Sequence, residues 1–160
     1  MKAWLQFRVE ELSEIDVSKI SRLFRKVWLE DAEEYPEEWR KSRTLNKAQI
    51  LKEMNAGYRF FGIRINNQLA GVYKALITRE GLFGEHQSVH PDCRNQGLAI
   101  AMYEHFIDFA KRHNCKKAYV NILSNQTASR KIVEKMGFSK KGNAFEQAHG
   151  MLVQTYERQV

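Results

Sequence analysis

Residues 82–123 constrain the fold more than any other stretch of this chain. “LFGEHQSV” (82–89) alternates as a strand and is stopped by Pro91. An apolar helical run follows, from about Gln96 to His113, and “KAYVNIL” (117–123) then reads as a buried-type strand. A strand, a helix and a second strand in that order form one crossover unit, which returns the chain to its own sheet in parallel. The helix carries Ala99, Met102, Phe106 and Phe109 on one broad face, widened by Ile100, Tyr103 and Ile107, so it is expected to pack against that sheet.

The remaining segments read as additions to this unit. “WLQFRVEEL” (4–12) predicts a first strand, and Ser13 or Asp16 caps a helix running to about Glu30 with Ile20, Leu23, Phe24 and Val27 at helical spacing. “LEDAEEYPEEW” (29–39) reads as an acidic break, and a second helix is expected from about Thr44 to Asn55, ending at Gly57. “YRFFGIRI” (58–65), the turn “NNQ” (66–68) and “LAGVYKALIT” (69–78) make a hairpin. “QTASRKIVEKM” (126–136) predicts a helix with Gly137 at its left-handed C′ position, and “FSKKGN” with “HGMLVQTYER” an antiparallel pair. The order is βααβββαβαββ. It implies a single α/β domain over 1–160, with a mixed, mostly antiparallel twisted sheet of about seven strands and helices on both faces.

Composition excludes several other classes. The chain has 160 residues, 43% hydrophobic and 28% charged, which suits one globular domain. No apolar run approaches the roughly 18 residues of a membrane span, and “MKAWLQFRVEEL” lacks the apolar core of a leader. The two cysteines, Cys93 and Cys115, form no CxxC pair, so no metal site is expected and a reduced, cytoplasmic protein is the default reading. The net charge of +7 is unevenly spread: residues 1–39 carry 6 Lys/Arg against 10 Asp/Glu, and residues 40–160 carry 20 against 9. A basic body suits a polyanionic ligand.

“RNQGLA” (94–99) shows where such a ligand would sit. The first turn of a helix leaves about four N–H groups without partners, and these attract anions together with the helix dipole. Gly97 permits close approach to the backbone, Ala99 keeps the next turn small, and Arg94 can add charge-assisted hydrogen bonds. A pyrophosphate is the natural occupant. The loop is neither a Walker motif nor a dinucleotide fingerprint, since Gly-Lys-Ser/Thr is absent and 97–102 reads GLAIAM.

Val89-His90-Pro91, Arg94-Asn95-Gln96-Gly97-Leu98-Ala99 and the downstream “NQTASRKIVEKMGF” (125–138) together resemble the GNAT superfamily of N-acetyltransferases over roughly the whole chain. The resemblance implies that acetyl-CoA binds with its pyrophosphate on residues 94–99 and its pantetheine between strands 82–89 and 117–123. It places the thioester carbonyl at the backbone near Val89 and pairs Asn125 with the family's pantetheine-facing Asn. It further implies acetyl transfer to a primary amine, small or peptidic, by direct transfer in a ternary complex. Members of that family often form homodimers.

Two departures bear on mechanism. The family's Tyr, one residue before the Glu of Glu-Lys-x-Gly-Phe, is Val133 here, so Tyr119, Tyr156 or water would have to protonate the leaving thiolate. The loop after Asn125 is also about one residue longer than usual. For the base that deprotonates the amine, Glu85 is the first candidate; in an even strand it shares a face with Phe83, Gln87 and Val89. A bulge in this strand would switch the parity and favour His86. The acidic stretch 30–38, with Trp28, Tyr35 and Trp39 interleaved, suits a cationic acceptor. The alternative is a module without catalysis that binds acyl-CoA, or a basic one that binds nucleic acid. No helix-turn-helix, zinc finger or RNP-like strand supports the latter, and neither nucleic acid nor a membrane is an expected partner.

Overall fold

A computed structural model describes residues 7–160. Seven strands form one sheet: β1 (Val9–Leu12), β2 (Arg59–Ile65), β3 (Gln68–Ile77), β4 (Leu82–Val89), β5 (Lys117–Leu123), β6 (Ser139–Ala148) and β7 (Met151–Gln159). Their spatial order is β1-β2-β3-β4-β5-β7-β6. Every pairing is antiparallel except β4–β5, the pair joined by the crossover helix α4 (Leu98–Arg112). The mixed, mostly antiparallel sheet is therefore as expected; the first residues of the expected strand 4–12 lie outside the described residues.

Both sheet faces are covered. On one, α4 buries Met102, Phe106, Phe109 and Ala110 against Phe61, Tyr73, Ala75 and Val120. On the other, α1 (Val17–Phe24, continuing as a wider π-helical turn over Arg25–Glu30) buries Ile20, Phe24 and Trp28 with Phe60 and Val72. Asp16 occupies the N-cap position of α1, after one tight turn that begins at Ser13. The helix α5 (Thr127–Lys135) ends in a Schellman motif: Gly137 has φ of 87°, and the Phe138 N–H donates to Val133 C=O at 2.9 Å.

Two boundaries differ from the sequence reading. The acidic break is shorter than 29–39, because a helix α2 (Glu37–Arg43) begins after Pro36 and buries Trp39. The next helix, α3 (Lys47–Asn55), starts at Asn46 rather than Thr44. Asn46 and Gln49 form a reciprocal capping box, each side chain accepting the other's backbone N–H at 2.9 and 2.8 Å. Counting acidic residues concealed α2, yet Glu37 and Glu38 favour a helix start by the dipole and Arg40, Lys41 and Arg43 its end.

Candidate active site

β4 and β5 pair at three positions, Leu82↔Ala118, Phe83↔Tyr119 and Gly84↔Val120, and are no longer paired beyond them. Gly84 is required at this junction: an added Cβ would come within 2.8 Å of the Phe106 ring. Past it lies a cleft of about 740 Å³, walled by Glu85, His86, Gln87 and Val89 of β4 and by Asn121 and Ile122 of β5.

The mouth of the cleft is main chain. After the single turn Pro91–Cys93, Asn95 and Gly97 both take left-handed conformations, with φ of 63° and 92°. Gly97 is thus demanded by backbone conformation as well as by close approach. No side chain caps α4, and its first ladder bond runs from Ala101 N–H to Gly97 C=O at 3.0 Å. Two left-handed residues, separated by Gln96, before an uncapped helix start form a concavity of the kind that attracts anions. Arg94 stands beside it, paired with Asp31 at 2.7 Å.

Of the residues singled out by sequence, Val89, Arg94, Asn95, Gly97, Leu98 and Ala99 line the cleft. Leu98 does so as a core residue, 1% exposed. Gln96 is exposed and is not among the lining residues. Asn125 is also exposed and off the wall; its neighbour Gln126 lines the cleft instead, donating from Nε2 to the Tyr35 hydroxyl at 3.1 Å. Val133 is fully buried in the α4-side core. Tyr119 hydrogen-bonds Thr78 Oγ1 at 2.8 Å and Tyr156 is 2% exposed; neither lines the cleft, whereas Tyr103 does. Burial raises the Tyr103 phenol well above its usual range.

The strand does carry a bulge. Val72 faces Ser88 and Lys74 faces Glu85, so β4 holds one more residue than β3 across this interval. His86 takes up the excess with φ of 53°. The Trp28 indole donates to Ser88 Oγ at 2.9 Å, and Ser88 Oγ donates to the His86 carbonyl at 2.8 Å, so α1 braces the bulge. Glu85 faces the α1–α3 side with Lys74. His86 lies there too, its ring 5.2 Å from that of Phe24. Glu85 and His86 therefore share a side, where an even strand would alternate them.

Glu85 Oε1 accepts from the Tyr58 hydroxyl at 2.8 Å and lies 4.0 Å from Lys74 Nζ. His86 is buried; its Nε2 donates to the Arg43 carbonyl at 3.2 Å, and its Nδ1 has no partner. Burial first, then Arg43 and Lys74, hold the imidazole well below the usual histidine range. A second cavity, of about 300 Å³, opens on this side and includes Trp39, Arg43, Glu53, Tyr58 and Lys74. Arg43, Glu85 and His86 line both spaces, so the bulge is the wall between them. None of residues 30–38 lines the second cavity. Asp31 and Glu34 reach the first, while Glu37 and Glu38 pair with Lys41 at 3.3 and 3.8 Å.

Sequence reasoning missed Arg43, Tyr58, Lys74, Gln87 and Gln126. One signal was visible: Lys74 interrupts an otherwise apolar strand, and it is 3% exposed. No group of three or more His, Cys, Asp or Glu residues suited to a metal occurs among the described residues. No helix among them is long and apolar enough to cross a membrane.

Residues 21–138 match the model of the Acetyltransferase (GNAT) family. The Xenopus laevis protein named “Probable N-acetyltransferase camello” is 31% identical over 84 residues, 51% of this chain, and the match spans only 38% of that relative's length. Among solved structures, the PaiA N-acetyltransferase of Thermoplasma acidophilum in complex with coenzyme A has a TM-score of 0.78 at 15% identity, covering 96% of this chain and 99% of its own. The yncA protein of Salmonella typhimurium, solved with its cofactor acetyl-CoA, has a TM-score of 0.76 at 17% identity, covering 96% and 93%. At such identities the likeness is one of fold.

Proposed function

This chain belongs to the GNAT family of acetyltransferases, and we propose that within it the protein acetylates a primary amine with acetyl-CoA. The carrying observation is the uncapped α4 start behind two left-handed residues, opening onto the gap where β4 and β5 part. That main-chain concavity suits the pyrophosphate of CoA, with Arg94 beside it. The gap suits pantetheine: Gln87, whose side-chain amide is buried with neither its oxygen nor its nitrogen partnered, lies on its wall and matches an amide-bearing chain. The structures solved with coenzyme A and acetyl-CoA share this fold.

Acetyl-CoA supplies an activated acyl thioester. The chain's own part is to bring the amine to it neutral. Glu85 stands on the wall between the two cavities and, as base, takes the proton of the arriving ammonium. Tyr58 and Lys74 hold its carboxylate in place. His86 is the weaker candidate, since burial and two nearby cations oppose the charge it would acquire. The amine nitrogen bonds the acyl carbon as the carbon–sulfur bond breaks, and the departing sulfur takes up the nitrogen's second proton and leaves as the thiol. Tyr103, kept protonated, can donate a hydrogen bond within the cleft.

Thermal shift with acetyl-CoA, CoA and a duplex oligonucleotide tests the cofactor. At a hundredfold excess over Kd, acetyl-CoA is expected to raise Tm by roughly 5–10 °C, with no shift from the oligonucleotide. A shift with DNA and none with acetyl-CoA overturns the reading.

A further inference from the structure

We propose that the acceptor is a free α-amino acid, its carboxylate held by Arg43 and its amine presented to Glu85. This rests on the acetyltransferase reading above. The second cavity contains four charged groups, and two of them satisfy each other: Lys74 Nζ donates to Glu53 Oε1 at 2.7 Å and sits 4.6 Å from the Tyr58 ring. Lys74 also lies 4.0 Å from Glu85 Oε1, which leaves Arg43 as the one charged group of the four outside any ion pair among the described residues; Arg43 and Glu85 both line the second cavity and the cleft.

Arg43 has the features of a group awaiting an anion. It ends α2 with its guanidinium carbon 4.9 and 5.3 Å from the ring centroids of Trp28 and Trp39, so it is held between two indoles that are themselves core residues. Its Nε is buried with no hydrogen-bond partner, and none of the ion pairs among the described residues includes it. Burial pushes the guanidinium down to about 10, against the opposing influence of Glu85. A buried, unsatisfied donor on a charged group is costly unless a ligand completes it, and a fixed guanidinium matches a carboxylate fork to fork.

Glu85 is complementary to the other end. Its Oε1 takes the Tyr58 hydroxyl bond, which orients the carboxylate. A simple polyamine would meet the like charges of Arg43 and Lys74. A peptide N-terminus brings an ammonium but no adjacent carboxylate. A zwitterion with opposite charges one carbon apart answers both residues. Trp39 and Leu45 supply an apolar wall for the substituent. In the reaction the α-ammonium passes one proton to Glu85, the nitrogen bonds the acyl carbon as the carbon–sulfur bond breaks, and the nitrogen's second proton goes to the sulfur, which departs as CoA thiol and leaves an N-acetyl amino acid.

The test compares each free L-amino acid with its α-carboxamide and its decarboxylated amine, by thiol release from acetyl-CoA and by calorimetric binding without any thioester. Free acids are expected to exceed their carboxamides about 10- to 100-fold in kcat/KM and in affinity, the size of a hydrogen bond to a charged group. Arg43→Met is expected to bring that ratio near unity with the KM for acetyl-CoA retained. Arg43→Lys, which keeps the charge but loses the fork, should retain part of the preference. The parent protein alone can decide: carboxamides or decarboxylated amines used as well as the acids overturn the proposal while leaving the acetyltransferase reading intact. An Arg43→Met variant that binds acetyl-CoA yet keeps the parent's ratio also overturns it. If acetyl-CoA is not bound and no amine releases thiol, the acetyltransferase reading fails and this proposal with it.

Discussion

The two spaces that meet at the β4 bulge are made of different material. The cleft mouth at α4 is main chain, shaped by the left-handed Asn95 and Gly97 and by N–H groups that no side chain caps. The second cavity is side chain, assembled from Arg43 of α2, Glu53 of α3, Tyr58 before β2, Lys74 of β3 and Glu85 of β4. A main-chain site depends on a short contiguous run adopting one conformation. A side-chain site depends on elements far apart in sequence arriving together, so its contents can change one residue at a time while the fold persists. A reagent common to a family suits the first kind of site, and a substrate that varies suits the second.

The largest expected effect tests the main-chain half. Gly97→Asp would set a carboxylate against a pyrophosphate bound at this turn and puts a side chain on a residue with φ of 92°. Acetyl-CoA binding, followed by calorimetry, should be lost. A folded variant that binds like the parent would remove the assignment of the α4 turn.

Next comes the side-chain half. Glu85→Gln nearly preserves shape but removes the proposed base. Turnover with a good acceptor should fall about 10²-fold or more, with acetyl-CoA affinity changed little. Turnover unchanged between pH 6 and 9 would transfer the role to His86 or to water.

A smaller effect separates the bulge's structural role from catalysis. The folded-state pKa of His86 is depressed by burial and by Arg43 and Lys74. The unfolded chain therefore binds the extra proton, and stability is fully present above the ordinary histidine pKa of about 6.5 and is lost as pH falls below it. His105, also lowered by burial, contributes in the same direction. His86→Gln should flatten the fall in Tm between pH 7 and 5 without abolishing it. An identical slope in parent and variant would mean that His86 is not held neutral.

The smallest effect concerns the acidic stretch. Replacing Glu33, Glu34, Glu37 and Glu38 together with Gln should change the acceptor KM less than about twofold at physiological salt, where exposed charges are screened beyond 8–10 Å. Glu37 and Glu38 already face Lys41, and Glu33 is exposed. A severalfold rise in KM that deepens at low salt would restore these residues to acceptor capture.

Local rules made much of this protein legible in its sequence. Alternation marked β4, the apolar stripe marked α4, Gly137 marked the end of α5, and “RNQGLA” marked the turn that opens α4, because each depends on neighbours within a few positions. Asn46 and Gln49 were a readable capping box that the expected helix start at Thr44 passed over. What only tertiary structure decided depends on register between strands and on long-range approach. The bulge at His86 is defined by its pairing with β3 and by the brace from Trp28, a residue 60 positions from Ser88. It puts Glu85 and His86 on one side of the sheet. The partners of Glu85 come from Tyr58, 27 positions away, and from Lys74 across the strand pair. Asp31 meets Arg94 only because the π-helical end of α1 reaches the cleft mouth. Period and composition record which residues are buried; they carry no record of which buried charges will share a cavity, because that is set by how strands align and not by any one strand.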